Sequence, residues 1–182
     1  MKILDSKLWD FGTRVYDLII INLLWIIFSI PLITIGPATN AGLKCIRAIE
    51  NNSSDNIFIL YINYFKENFI VYVLGFNTFL GILIVFTKLL TDTFNTSNVI
   101  LAGIYIFIIL ESILSIGVIF LIEEKSIIDL IIKSIIYGNQ NIMKVLLNLI
   151  VCTLIIGTAI SIPIFMMISI SLCLFITYKV LY

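Results

Sequence analysis

A single carboxylate, Glu111, stands near the middle of an apolar stretch over residues 99–122. An ionised side chain in such a stretch costs several kcal/mol unless it finds a partner, so the position points to proton- or substrate-linked work, or to polar contact between helices. Helical spacing puts Gly103, Phe107, Glu111 and Ser115 on one face, and Asn77, Gly81, Ile84 and Lys88 on a similar stripe of the preceding apolar stretch. Folding the two stretches about residues 94 and 95 levels Glu111 with Asn77 and Thr78, helices rising about 1.5 Å per residue. The expected intramembrane polar site is Glu111 with Asn77, Thr78 and Ser115, while Lys88 reaches outward to the surface.

Other chemistry is sparse. The chain has no histidine, which removes Ser-His-Asp and Cys-His catalysis and every histidine-containing metal site. Cys45, Cys152 and Cys173 lack CxxC spacing and lie in or beside apolar segments, where cysteine serves as a small hydrophobe. Walker A, GxGxxG and paired-carboxylate motifs are missing. The expectation is a protein that is not an enzyme, with no catalytic residue, no metal and no cofactor.

The elements that would position these residues belong in a bilayer. Of 182 residues 61% are hydrophobic, and the mean hydropathy is +1.17, which leaves too little polar surface to coat a soluble globule. Acidic and basic residues balance at net zero with no basic patch, so nucleic acid is not expected as a partner. A hydrocarbon core of about 30 Å needs roughly 20 apolar helical residues. Residues 70–90 and 99–122 supply two such spans, and the apolar region from residue 145 to 182 is about twice the length of one span, so it reads as two helices turning near Pro163.

The first apolar run, from Asp17, is broken by Pro31 and by Gly36-Pro37. If it crossed once, the basic residues would divide between the two sides. If the chain turns around Pro31 to Pro37 and returns, Lys44 and Arg47 emerge beside Lys2, Lys7 and Arg14, and every basic residue except Lys88 shares one side. The positive-inside rule favours the second arrangement, with both termini in the cytoplasm and the loop of residues 91–98 outside. The returning arm is short and carries Gly36, Thr39, Asn40 and Gly42, so it tilts or crosses only in part. A cleaved signal peptide fits this start poorly, because the charged region before the apolar run is long and Pro31 interrupts that run.

The expected fold class is therefore all-α, a polytopic transmembrane helical bundle of a single domain with about five to six membrane-embedded helices. These cover residues 17–35, 37–49, 70–90, 99–122, 144–162 and 164–181, beginning with a helical hairpin broken by Pro and Gly. A short interfacial amphipathic helix is expected over residues 125–137, where Lys125, Asp129 and Lys133 recur at helical spacing among isoleucines. Aromatic residues Phe58, Tyr61, Tyr64, Phe65 and Phe69 read as an interfacial belt. Asn22 is placed to satisfy backbone groups freed by Pro31, and Thr153, Gly157 and Ser161 form a small-residue face suited to close helix contact.

The run from Asp17 to Ile49 resembles the signature of the YesL family of bacterial integral membrane proteins, which carry a domain of unknown function. Asn22, Leu23, Leu24 and Trp25, followed by Pro31, Thr34, Ile35, Gly36, Pro37 and Ala38, agree with the pattern, and Phe65 to Phe69 (FKENF) resembles its second patch. Asn40 and Lys44 depart from it, standing where small apolar residues are expected. The resemblance implies a multi-pass protein of the bacterial plasma membrane. It further implies association with carbohydrate ABC uptake systems, as an accessory or assembly partner of the permease, or with a sensor kinase. A small secondary transporter or channel using Glu111 is the competing reading.

Overall fold

The structure is a computed structural model that describes residues 2–51, 56–94, 99–162, 165 and 168–181. Eight α-helices account for nearly all of them: α1 (Lys2–Ser29), α2 (Ile35–Glu50), α3 (Ile57–Lys66), α4 (Phe69–Phe94), α5 (Val99–Val118), α6 (Ile127–Gln140), α7 (Ile142–Ser161) and α8 (Ser169–Leu181). No strand occurs among the described residues. Pro163 and residues 95–98 lie outside them. Four stretches are long and apolar enough to span a bilayer: Gly12–Ser29, Phe69–Thr93, Val99–Leu121 and Ile142–Ser161.

α1 and α2 form an antiparallel hairpin. Trp25 Nε1 donates to Thr39 Oγ1 at 3.0 Å near its closed end, and Arg14 approaches Glu50 at 3.7 Å near its open end. The reversal is tighter than the sequence suggests. It is confined to Ile30, Pro31 and a 3-10 turn over Leu32–Thr34, whereas Gly36 and Pro37 already belong to α2. Pro37 sits in the first turn of α2, where a missing N–H costs little because that donor would be unpaired anyway.

The carbonyls around Pro31 are satisfied by Thr34, not by Asn22. Thr34 Oγ1 lies 2.6 Å from the Phe28 carbonyl and 2.7 Å from that of Pro31, and the Thr34 N–H donates to the latter at 2.8 Å. Asn22 is fully buried and accepts instead from the N–H of Ile170, in the first turn of α8. Its side-chain oxygen thus replaces one of the backbone acceptors that a helix start lacks. The asparagine joins the two ends of the chain.

The hairpin packs against α4 through glycine. A Cβ at Gly36 would lie 2.6 Å from the Tyr72 carbonyl oxygen and 3.0 Å from Phe76 Cβ, so the two helix backbones touch there. Beside this contact Asn77 Nδ2 donates to the Ile33 carbonyl at 3.2 Å, which fixes the depth of the turn. Asn77 is only about 12 Å along α4 from Phe69, and α4 continues for about 25 Å to Phe94 at the usual helical rise. The tip of the hairpin therefore stands about a third of the way along α4, level with Asn77. This tip is apolar and outward-facing, with Ile30, Leu32 and Ile33 at 75%, 74% and 60% exposure.

α3 lies against the hairpin and is more than a surface belt. Tyr61 is fully buried, donating to the Ala38 carbonyl at 2.9 Å, while Phe28 packs against the rings of Tyr61 and Phe65. The FKENF patch is the link from α3 to α4. Phe65 and Phe69 meet edge-on at 5.3 Å, and Asn68 takes a left-handed φ of 52°, a conformation asparagine tolerates better than other residues with a Cβ. Asn68→Gly should be neutral or slightly stabilising in detergent melting, whereas Asn68→Val should cost about 1–3 kcal/mol by straining the link. Equal melting temperatures for the two variants would contradict this account.

α4 and α5 pair along their length, with Phe86 and Tyr105 edge-on at 5.6 Å. The polar stripes expected to face each other do not. Phe107 and Ile84 are 63% and 60% exposed, and a Cβ at Gly81 or Gly103 would meet nothing within 4 Å. Aromatic and aliphatic packing sets the helix rotation, which polar spacing alone could not reveal. α5 ends in a 3-10 turn, Ile119–Leu121, whose neighbouring carbonyls are capped from elsewhere. Asn40 donates to that of Phe120 at 3.1 Å and Tyr72 to that of Ile122 at 2.8 Å.

α6 crosses α5 obliquely, burying Leu130, Ser134 and Gly138. Leu130 packs beside Ile119 and under Gly75, and Gly138 rests on the Leu114 backbone. Its isoleucines Ile128, Ile132 and Ile136 face outward. α7 meets α8 through Asn148 and Cys152 on one side and Cys173 and Thr177 on the other. The face of Thr153, Gly157 and Ser161 is exposed, and a Cβ at Gly157 would meet open space, so it makes no close contact among the described residues.

Candidate functional site

The four residues of the expected intramembrane site are not brought together by hydrogen bonding. Glu111 Oε2 accepts from Asn139 Nδ2 on α6 at 3.1 Å. Asn77 donates to the carbonyls of Ile33 and Val73, and Thr78 to that of Leu74 one turn back. Ser115 is fully buried with no hydrogen-bond partner among the described residues. The pairing with Asn77 or Thr78 fails because α6 slopes up across α5 and delivers Asn139 to Glu111 first. Of the atoms that could have lined a path, those of Asn77 and Thr78 are committed to helix carbonyls and that of Glu111 to the contact with α6, while the Ser115 hydroxyl is not.

The residues of the N-terminal motif are structural in the same sense. Trp25, Pro31, Thr34, Gly36 and Pro37 build the hairpin and its contact with α4, and Asn22 holds α8.

A different group of side chains gathers at the charged end of the bundle, where α2, α5 and α8 finish and α4 starts. Lys44 on α2 pairs with Glu67 at 2.8 Å, and Arg47, one turn later, pairs with Glu123 at 2.7 Å. Glu50 pairs with Lys179 at 2.5 Å and with Arg14 at 3.7 Å, and Lys133 pairs with Glu124. The Glu124 carboxylate holds the exposed Lys133 ammonium above its ordinary range, chiefly through their hydrogen bond. Surface pairs of this kind contribute little to stability, so their gathering is better read as a property of the surface than as a brace.

Among them opens a cleft of about 260 Å³ lined by Lys44, Arg47, Ala48, Asn51, Tyr64, Glu67 and Glu123. Lys44 Nζ lies 5.6 Å from the centre of the Tyr64 ring, so the ammonium is held between an aromatic face and a carboxylate. Two cations and two carboxylates face one opening. That arrangement can exchange its internal pairs for pairs with an incoming surface that carries both signs of charge.

The acidic half of this site escapes a reading that counts only basic residues for topology. Glu50, Glu67, Glu123 and Glu124 each follow the end of an apolar or amphipathic segment, and that recurrence is the signal that was available. Lys44 also gains its meaning here, because it supplies one wall of the cleft.

Fold and surface together define an integral, polytopic all-helical membrane protein. A family described as "Protein of unknown function, DUF624" matches residues 18–92, which covers the end of α1 nearest the turn, α2, α3 and nearly all of α4. That stretch contains Lys44, Arg47, Tyr64 and Glu67 of the cleft, while Glu123 lies beyond it. No curated protein and no solved structure matches the chain.

Proposed function

We propose that this protein is a non-enzymatic accessory subunit that docks a membrane partner through the charged cleft, and that the partner is the permease of a bacterial carbohydrate ABC uptake system. The cleft carries the docking half of the reading, because it is an open, polar feature bearing paired charges at the membrane rim. The resemblance of the N-terminal motif to the YesL family supports the carbohydrate setting. The rim faces the cytoplasm in this reading, since Lys44, Arg47, Lys66, Lys125, Lys133, Lys144 and Lys179 would share that side. Both termini then lie there too.

Affinity purification in mild detergent from the native bacterial membrane tests the reading. A stoichiometric permease is the expected outcome, and Arg47→Glu should reduce its recovery about tenfold, the loss expected when a charge pair at an interface is reversed. Recovery of a sensor kinase instead would make the protein a membrane-bound regulator. Recovery of the protein alone, with solute flux in liposomes that Glu111→Gln abolishes, would replace the accessory reading with a small secondary transporter. That alternative is supported by the intramembrane carboxylate and its Asn139 partner.

A further inference from the structure

A second cavity of about 260 Å³ opens on the opposite side of α2, where α1, α2 and α8 converge at the charged end. Its walls are apolar, formed by Val15, Leu18, Ile46, Ile49 and Phe175, and its mouth is bordered by Arg14 and Glu50. Lys179 is not part of the lining but stands against two residues that are, its Nζ lying 5.6 Å from the centre of the Phe175 ring and pairing with Glu50. Two cations thus meet one carboxylate. Lys179 takes the close contact with Glu50 at 2.5 Å, while Arg14 remains at 3.7 Å, beyond hydrogen-bond distance.

Arg14 is 54% exposed in its side chain and makes no hydrogen bond among the described residues, so its fork of donors is open. We infer that this cavity binds an anionic phospholipid, the phosphate bridging Arg14 and Lys179 and one acyl chain lying against Leu18, Ile49 and Phe175. Three features select this occupant. The excess positive charge at the mouth complements a phosphate, a guanidinium fork matches its oxygens, and the walls below offer nothing polar to a soluble anion. The mouth lies at the same charged rim as the cleft, at the level where lipid headgroups meet the hydrocarbon.

The site is independent of the docking cleft, and its test does not require a partner. The full chain, purified in a neutral detergent and offered equal phosphatidylglycerol and phosphatidylcholine, is examined by native mass spectrometry. Wild-type protein should retain phosphatidylglycerol at least about tenfold over phosphatidylcholine, the order expected for a charge-assisted contact. Arg14→Gln should remove most of that preference, Arg14→Lys should keep part of it, and Val15→Trp should reduce retention by filling the slot.

Circular dichroism and gel filtration of each variant confirm that it is folded before the comparison. If Arg14→Gln does not fold, Val15→Trp and Arg14→Lys decide the matter in the same assay. Equal retention of both lipids by the wild type would overturn the inference. So would displacement of phosphatidylglycerol by excess inorganic phosphate, which would show that the mouth alone binds and that the slot contributes nothing.

Discussion

Cysteine placed at residue 33 should resist a membrane-impermeant maleimide from both sides of the bilayer. In a background where Cys45, Cys152 and Cys173 are replaced by alanine, Asn51→Cys should label from one side and Asp92→Cys from the other, both being exposed at opposite ends of the bundle. Ile33→Cys should label only after detergent is added, although the residue is 60% exposed, because its surroundings are acyl chains. The hydrogen bond from Asn77 holds Ile33 level with the first third of α4, with roughly 25 Å of helix still to run. Labelling of Ile33→Cys and Asp92→Cys from the same side would mean that the hairpin crosses completely.

Gly36→Leu should be the most damaging single change in the hairpin. A leucine Cβ there is already 2.6 Å from a backbone oxygen that cannot swing aside, and the rest of the side chain must separate α2 from α4. Overpacking of this kind costs about 1–3 kcal/mol, which corresponds to a fall of about 2–12 °C in the melting temperature of a protein of this size. Gly81→Leu is the control, since a Cβ at that position has open space around it. Matching melting curves for the two variants would show that the close α2–α4 approach is not needed for stability.

The helical membrane class was legible from hydropathy alone, and the reversal near Pro31 from charge placement, because both depend on properties summed along the chain. Partners of individual polar residues were not legible. Asn22 reaches Ile170 and Arg47 reaches Glu123, contacts between segments far apart in sequence that no periodicity encodes. Glu111 illustrates the limit most clearly. Its depth could be estimated from helical rise, but its partner depended on the slope of α6, which is set by Leu130, Ser134 and Gly138 fitting against α5. Gly36-Pro37 reads as a turn by composition and serves as a helix start, since proline in a first turn and glycine at a close contact satisfy the same letters.

The part-way hairpin and the short α8 also give the molecule a taper. Near the charged rim α1, α2, α3, α8 and the start of α6 stand beside the three longest spans, whereas at the opposite end the described helices reduce to α4, α5 and the end of α7. A body that takes more area from one leaflet than from the other bends the sheet that holds it. This protein would therefore be most at ease where the leaflet carrying its charged rim is the convex one, and crowding many copies together would favour a bulge toward that side.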